Sequence, residues 1–440
     1  MNAKPPGSGG GASEKNNQQP TSMKTKPTLV LGVLMAVLFG IGSVLAQSQF
    51  GQHLLRAQRP RPGVGIRPPP PPPPPRPEFG NPLPGLTPGQ LAAFATGLEE
   101  FENEETVASG LGPIFNHVSC VACHSGPVTG GSSDIVVTRF GRTVNGVFDP
   151  LTEKGGSLLQ QFAIDPAARE VVPPEANTIA HRRTTPLFGL GLIEAIPDDV
   201  IRQGALRPKP DGVVGRIADV TDITTGEKRV GRFGWKLQQA TLLAFSADAY
   251  LNEMGITSRF FPNENAPNGN AVLLALFDTT QDPEDEVDPA TGHGDIDAIA
   301  DYMRFLGAPP RLPLSPSARA GEPLFAQIGC AVCHTPLLQT GPNRIGALDR
   351  KPVWLFSDLL LHDMGTLGDG IAQGAAKPRE MRTAPLWGLR ASPPYLHDGR
   401  APTVHDAIAA HEGEGRVSRD RYLRLTPLQR RQLLDYLASN

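Results

Sequence analysis

The chain of 440 residues has only four cysteines, Cys120, Cys123, Cys330 and Cys333, and all four fall into two short pairs. No thiol is left for a disulfide between distant parts of the chain. Aromatics are sparse at 6%, and no face-forming run of Lys or Arg stands out in a chain of net charge −3. That balance gives no footprint for nucleic acid. What the chain has in excess is turn chemistry, 46 prolines and 48 glycines. Loops and turns should be abundant.

The N-terminus reads as targeting and spacer. Residues 1–22 are Gly, Ser, Asn, Gln and Pro with few apolar residues, a composition that does not build a core. Met23-Lys24-Thr25-Lys26 then starts a short basic region. Leu29 to Leu45 is apolar, and Val44-Leu45-Ala46 offers small residues at a signal-peptidase site. This is a secretory pattern, which predicts translation from Met23, cleavage after Ala46 and a periplasmic or otherwise exported protein. A retained segment would instead anchor it, since about 17 apolar residues just span a membrane; membrane contact is expected only in that case. Pro68 to Pro75 is an unbroken proline run between Arg67 and Arg76, a stiff polyproline II spacer.

Folded structure is expected from about residue 82. Thr87-Pro88 is a helix cap with proline at the first position, and Leu91, Phe94 and Leu98 follow at helical spacing. Ile296, Ile299, Met303 and Leu306 make a stripe from Asp295 that ends at Gly307-Ala308-Pro309-Pro310. Thr426-Pro427 starts a last helix with Leu433, Leu434 and Leu437. With no sustained alternation elsewhere, the fold class expected is mainly α, with long Gly/Pro-rich loops. Val213 to Val230 is the one stretch read as a small hairpin.

Cys120-Val121-Ala122-Cys123-His124 and Cys330-Ala331-Val332-Cys333-His334 are both Cys-x-x-Cys-His. Two thiols three residues apart on one helical turn reach the two vinyl groups of a haem, and the adjacent His reaches the iron. A zinc site needs four converging ligands, and a thioredoxin-like pair does not need the His. Two covalently bound haem c groups, with His124 and His334 as iron ligands, are the expectation.

The motifs sit in a duplication. Pro113-Ile114-Phe115 and Pro323-Leu324-Phe325 precede them at the same offset of 210. Each brings an aromatic five positions before its first cysteine. Downstream, Arg183-Thr184-Thr185-Pro186-Leu187-Phe188-Gly189-Leu190 matches Arg382-Thr383-Ala384-Pro385-Leu386-Trp387-Gly388-Leu389 at an offset of 199. The reading is two cytochrome c-like haem domains in tandem, at 82–310 and 311–440, after an extension and signal at 1–46 and a linker at 47–81.

Over residues 85–440 the sequence resembles the bacterial dihaem oxidoreductases, labelled thiol-oxidoreductase-like, relatives of the dihaem cytochrome c peroxidases. The resemblance rests on Pro186 to Pro197 (PLFGLGLIEAIP), Gly231 to Lys236 (GRFGWK), Ser357 to Gly365 (SDLLLHDMG) and Tyr395 to Arg400 (YLHDGR). It implies one electron-transfer haem and one haem at which peroxide is reduced. The peroxidases place a sixth ligand fourteen residues after the His of a His-Asp-Gly motif. Here His397 leads to His411, where they usually have methionine. An imidazole there stabilises ferric iron and lowers the potential. The corresponding first-half position is Gly212, which cannot ligate.

The resemblance extends to chemistry. His181 is a candidate displaceable ligand of the N-terminal haem or a hydrogen-bonding histidine beside Arg182. Glu194, in an apolar segment, is a candidate acid–base for peroxide cleavage. Trp235 and Trp387 are relay candidates or haem packing. His117, His362 and Met364 are left outside the coordination shell, and His397 and Arg400 are placed near a propionate. The acidic loop Asp282 to Asp288 has the residue types for calcium, but Pro283, Pro289 and the irregular spacing favour a solvated loop. The function expected is peroxide reduction with a small redox protein as partner. The alternative is a dihaem electron carrier without its own substrate, and a weaker one is oxidation of a sulfur or organic compound.

Overall fold

The computed structural model describes residues 78–440. The signal pattern, the apolar run at 29–45 and the proline run lie outside the described residues. Among the described residues no helix is long and apolar enough to cross a membrane.

Eight helices frame the candidate sites: α1 (Pro88–Glu102), α2 (Leu190–Glu194), α3 (Leu242–Ala249), α4 (Asp295–Phe305), α5 (Pro316–Gln327), α6 (Val404–Ala409), α7 (Arg416–Leu423) and α8 (Pro427–Leu437). Thr87 caps α1 and Thr426 caps α8, each in a reciprocal box with the Gln three residues on. α1 packs on α4 through Phe94, Phe101 and Tyr302. Gly97 makes the approach possible, because a Cβ there would collide with the Ala298 carbonyl. α5 packs on α8 in the same way, with Gly321 against the Gln432 backbone.

The expectation of a mainly α protein is overturned. Helix makes up 34% and strand 15% of the described residues, a mixed α/β content. The longest strand, β1 (Val136–Val144), pairs antiparallel with β2 (Val147–Asp149), β3 (Leu158–Leu159) and β4 (Thr178–Arg183). Its β-branched residues favour the pleated surface, but Gly141 and two arginines break the alternation that would have announced it. Gly141 is required there, since a Cβ would enter the Phe148 ring. The expected hairpin forms only as β5 (Asp219–Thr221) and β6 (Lys228–Val230). A further pair, β7 (Leu361–Asp363) and β8 (Glu380–Arg382), lies beside the second cysteine motif. Strands of two or three residues are too short to show a period, so composition alone hides them.

The duplication is structural as well. Arg183 ends β4 opposite Val136, and Arg382 ends β8 opposite Leu361. Gly189 and Gly388 both take a left-handed turn, with φ of 73° and 70°. The two copies meet: a Cβ on Gly189 would lie 2.8 Å from the Trp387 ring. One apolar core centres on α1, α3 and α4 and takes in Leu348, Leu355 and Leu359 from the later sequence. A second core holds Phe325, Phe356, Tyr422, Leu433 and Tyr436.

Candidate haem-binding sites

Each cysteine motif is one tight turn. The His124 amide donates to the Cys120 carbonyl at 3.1 Å, and the His334 amide to the Cys330 carbonyl at 2.9 Å. Nδ1 of His124 lies 3.1 Å from the Gly131 carbonyl, and Nδ1 of His334 lies 3.0 Å from that of Phe356. A ring that donates from Nδ1 leaves the Nε2 lone pair for a metal. Burial lowers both imidazoles to about 4, so both are neutral at pH 7. Burial pushes the Cys120, Cys123 and Cys330 thiols up to about 12. Such thiols are poor redox nucleophiles, which disfavours disulfide exchange.

In the second half His411 lies just past the end of α6, and its Nδ1 is fixed by the Ala407 carbonyl at 2.8 Å. Its ring centre is 6.5 Å from that of His334. Two metal–imidazole bonds of roughly 2 Å, with about 1.1 Å from each nitrogen to its ring centre, require about 6.2 Å. The pair is therefore spaced to hold one iron between them. The cavity here is about 270 Å³, and Cys330, Cys333, Phe325, Met364, Trp387 and Arg382 are among its lining residues. Arg382 is 9% exposed, its Nε has no partner, and burial lowers its pKa to about 10 with no carboxylate to oppose it. A buried guanidinium without an acid implies an anion. A haem propionate supplies one, so the residues fit the group.

The first half differs. The aromatic ring against His124 is Phe101, at 5.9 Å. Among the described residues no second imidazole faces His124 as His411 faces His334. His181 is exposed on β4, with Nδ1 3.3 Å from the Thr138 hydroxyl. Glu194 is structurally engaged: one oxygen accepts from the Leu242 amide at the start of α3 (2.7 Å), and the other pairs with Arg304 (3.0 Å). That is a helix cap and an interhelix ion pair, not a free proton donor. Sequence reasoning missed Glu253. Its carboxylate accepts from Asn116 Nδ2 at 2.8 Å, burial raises its pKa, and its charge acts on the Cys123 thiol. Arg139, buried nearby, is lowered to about 10 by burial. Nothing in the one-dimensional pattern around Glu253 marks it.

Trp235 joins the two halves. Its Nε1 donates to the Arg183 carbonyl at 2.8 Å, Arg382 lies 6.0 Å over its ring, and His397 meets its edge at 6.3 Å. His397 is buried and lowered to about 4. His362 is clamped by Asp358 (3.0 Å) and Glu414 (2.7 Å). His117 turns its Nδ1 onto the Val118 amide. Of the acidic loop, Asp282 and Glu284 gather with Glu264, their carboxylate oxygens within 4.8 Å. Asp288 does not join them.

A family profile described as "Di-haem oxidoreductase, putative peroxidase" matches residues 174–440. No curated protein matches the chain. Among solved structures, hydrazine synthase of Kuenenia stuttgartiensis is similar at 15% identity, over 91% of this chain and 100% of that one, with a TM-score of 0.36. The diheme peroxidase BthA of Burkholderia thailandensis is similar at 14% identity, over 79% and 85% of the chains, with a TM-score of 0.31. A MauG-like protein associated with microbial copper homeostasis is similar at 16% identity, over 57% and 88%, with a TM-score of 0.29. No role is carried over from these loose superpositions.

Proposed function

The chain belongs to the di-haem oxidoreductase family, and from that membership we propose that it is an exported enzyme that reduces peroxide through two covalently held haems of unequal ligation. Cys120, Cys123 and His124 would hold one haem. Cys330, Cys333, His334 and His411 would hold the other. When bound, the haems supply redox-active iron. The observation that carries the reading is the asymmetry: His411 faces His334 at 6.5 Å, and among the described residues no imidazole faces His124. A haem held by two imidazoles would suit electron transfer, and one held by His124 alone would suit a reacting substrate.

Reduction of one hydrogen peroxide to two waters takes two electrons and two protons. The electrons would come one at a time from a small redox protein; His334 and His411 would hold the haem that receives them, and Trp235 touches both Arg-Thr motifs between the halves. Glu253 is the candidate proton shuttle. Its raised pKa and its place beside Cys123 suit a group that shuttles a proton at the N-terminal haem. The secretory pattern at residues 23–46 supports a periplasmic location.

The test is the ligation of the purified dihaem protein. Cyanide should convert one haem only, and the fully reduced protein should be reoxidised by peroxide. Two six-coordinate haems that ignore both reagents would make it an electron carrier.

A further inference from the structure

The two halves carry opposite charge. Residues 78–310 contain 16 Lys and Arg against 31 Asp and Glu, a formal charge of −15. Residues 311–440 contain 16 against 12, a formal charge of +4. The positive charge is concentrated: Arg416, Arg419, Arg421, Arg424, Arg430 and Arg431 fall within sixteen residues on α7, the turn after it and the start of α8. Arg419 pairs with Glu412 and Asp420, and Arg421 with Asp211. Arg416, Arg424 and Arg431 are exposed, and among the described residues no carboxylate pairs with them.

This surface has an apolar centre. Leu423 is 43% exposed and Leu428 64% exposed. Arg416 and Leu423 stand seven residues apart, on one face of α7. Leu428 and Arg431 stand three apart on α8. Arg430 donates to the Leu423 carbonyl at 3.0 Å and fixes the two segments side by side. The result is an apolar patch rimmed by unpaired guanidinium groups.

Its inner side rests on the second haem motif. A Cβ on Gly329, the residue before Cys330, would lie 2.7 Å from the Ser418 hydroxyl of α7. Ser418 and Arg419 line the cavity that contains His334 and His411. Tyr422 of α7 is fully buried in the same core as Cys330. One helix, about 10 Å thick, separates the patch from the haem motif.

We infer that α7 and the first turn of α8 form the docking surface for an acidic one-electron carrier protein. The inference rests on the reading of the His334–His411 centre as the point of electron entry. An acidic carrier is attracted by the arginine rim and repelled by the −15 half, so it is steered to the right haem and away from the other. The apolar centre then excludes water from a short-lived contact.

The test uses the dihaem protein without peroxide, so it reads electron entry apart from turnover. Reduced plastocyanin serves as an acidic carrier and reduced mitochondrial cytochrome c as a basic one, and reduction of the haem is followed by absorbance. Plastocyanin should be the faster donor at low ionic strength, and its rate should fall steeply with salt. The triple variant R416E, R424E, R431E should slow it at least about tenfold at low salt. Charge reversal on the other half, E102K with E286K, should not slow it. A wild-type preference for the basic carrier, a rate indifferent to salt, or a triple variant as fast as wild type would each overturn the inference. A protein that takes electrons in this way but leaves peroxide untouched would refute the peroxidase reading alone.

Discussion

The imidazoles of His334 and His411 face each other with ring centres 6.5 Å apart, each pinned through Nδ1 to a backbone carbonyl. Replacing His411 with Gly removes one of two axial ligands and leaves Cys330, Cys333 and His334 in place. The C-terminal haem should become high-spin while the N-terminal haem keeps its spectrum. Electron paramagnetic resonance of the ferric protein separates the two. An unchanged spectrum would mean that His411 is not a ligand.

Arg382 should have opposite effects on the haem-free and haem-loaded chains. Without haem it is a buried cation with no acid partner, so Arg382→Met should leave the unloaded protein as stable as wild type or more so. With haem it neutralises a propionate, and the same change should destabilise the loaded protein by about 2 kcal/mol or more. Urea denaturation of both forms measures the contrast. Equal effects on the two would remove the propionate assignment.

His362 gives a pH signature. Burial opposes its charge, but hydrogen bonds to Asp358, Cys333 and Glu414 outweigh it and raise its pKa to about 12. The folded pKa lies above the unfolded value of about 6.5. The stabilisation is therefore complete below about pH 6.5 and is lost as pH rises toward about 12. His362→Gln should cost stability at pH 6, and the gap to wild type should shrink at pH 10. A gap that widens with pH would contradict the ion clamp.

The parts of the site that live in contiguous sequence were legible. Both Cys-x-x-Cys-His turns, the caps at Thr87 and Thr426 and the repeated Arg-Thr motif need only neighbouring residues. His411 was reached through the spacing from His397 that the family resemblance supplied. Glu253 was not legible, because its environment is made by Asn116 and the Cys123 turn, more than a hundred residues away. Glu194 misled for the converse reason: its apolar neighbours are real, but Arg304 arrives from α4 and the Leu242 amide from α3. The fold class failed because most strands are only two or three residues long, and because Gly141 and two arginines hide the alternation of β1, whose partner β4 lies far along the chain.

Glu194 and Glu253 can be separated by what each loses. Glu194→Gln should lower stability by about 1 kcal/mol through the weakened cap and ion pair, with peroxide turnover per folded molecule retained. Glu253→Gln should retain the fold and slow turnover about 100-fold. Melting curves and peroxide assays on the same preparations give both numbers. A turnover loss confined to the Glu194 variant would reverse the assignment.

The carboxylates of Glu264, Asp282 and Glu284 test whether a cluster of acids holds protons or a cation. Burial, and then the charges of Glu284, Asp278 and Asp282, raise Glu264 to about 9. A carboxyl raised in the folded state keeps a proton that the unfolded chain has lost, so stability falls as pH rises from about 4.5 toward 9. Glu264→Gln mimics the protonated form. The variant should match wild type at pH 4.5 and be more stable than it at pH 8, by on the order of 1 kcal/mol. Calcium bound by the three carboxylates would invert that result, because the ion would favour the charged form and the amide would weaken its site. Thermal melts at pH 8 with calcium and with a chelator decide between the two. Proton sharing requires melts that calcium does not move and a glutamine variant that melts higher.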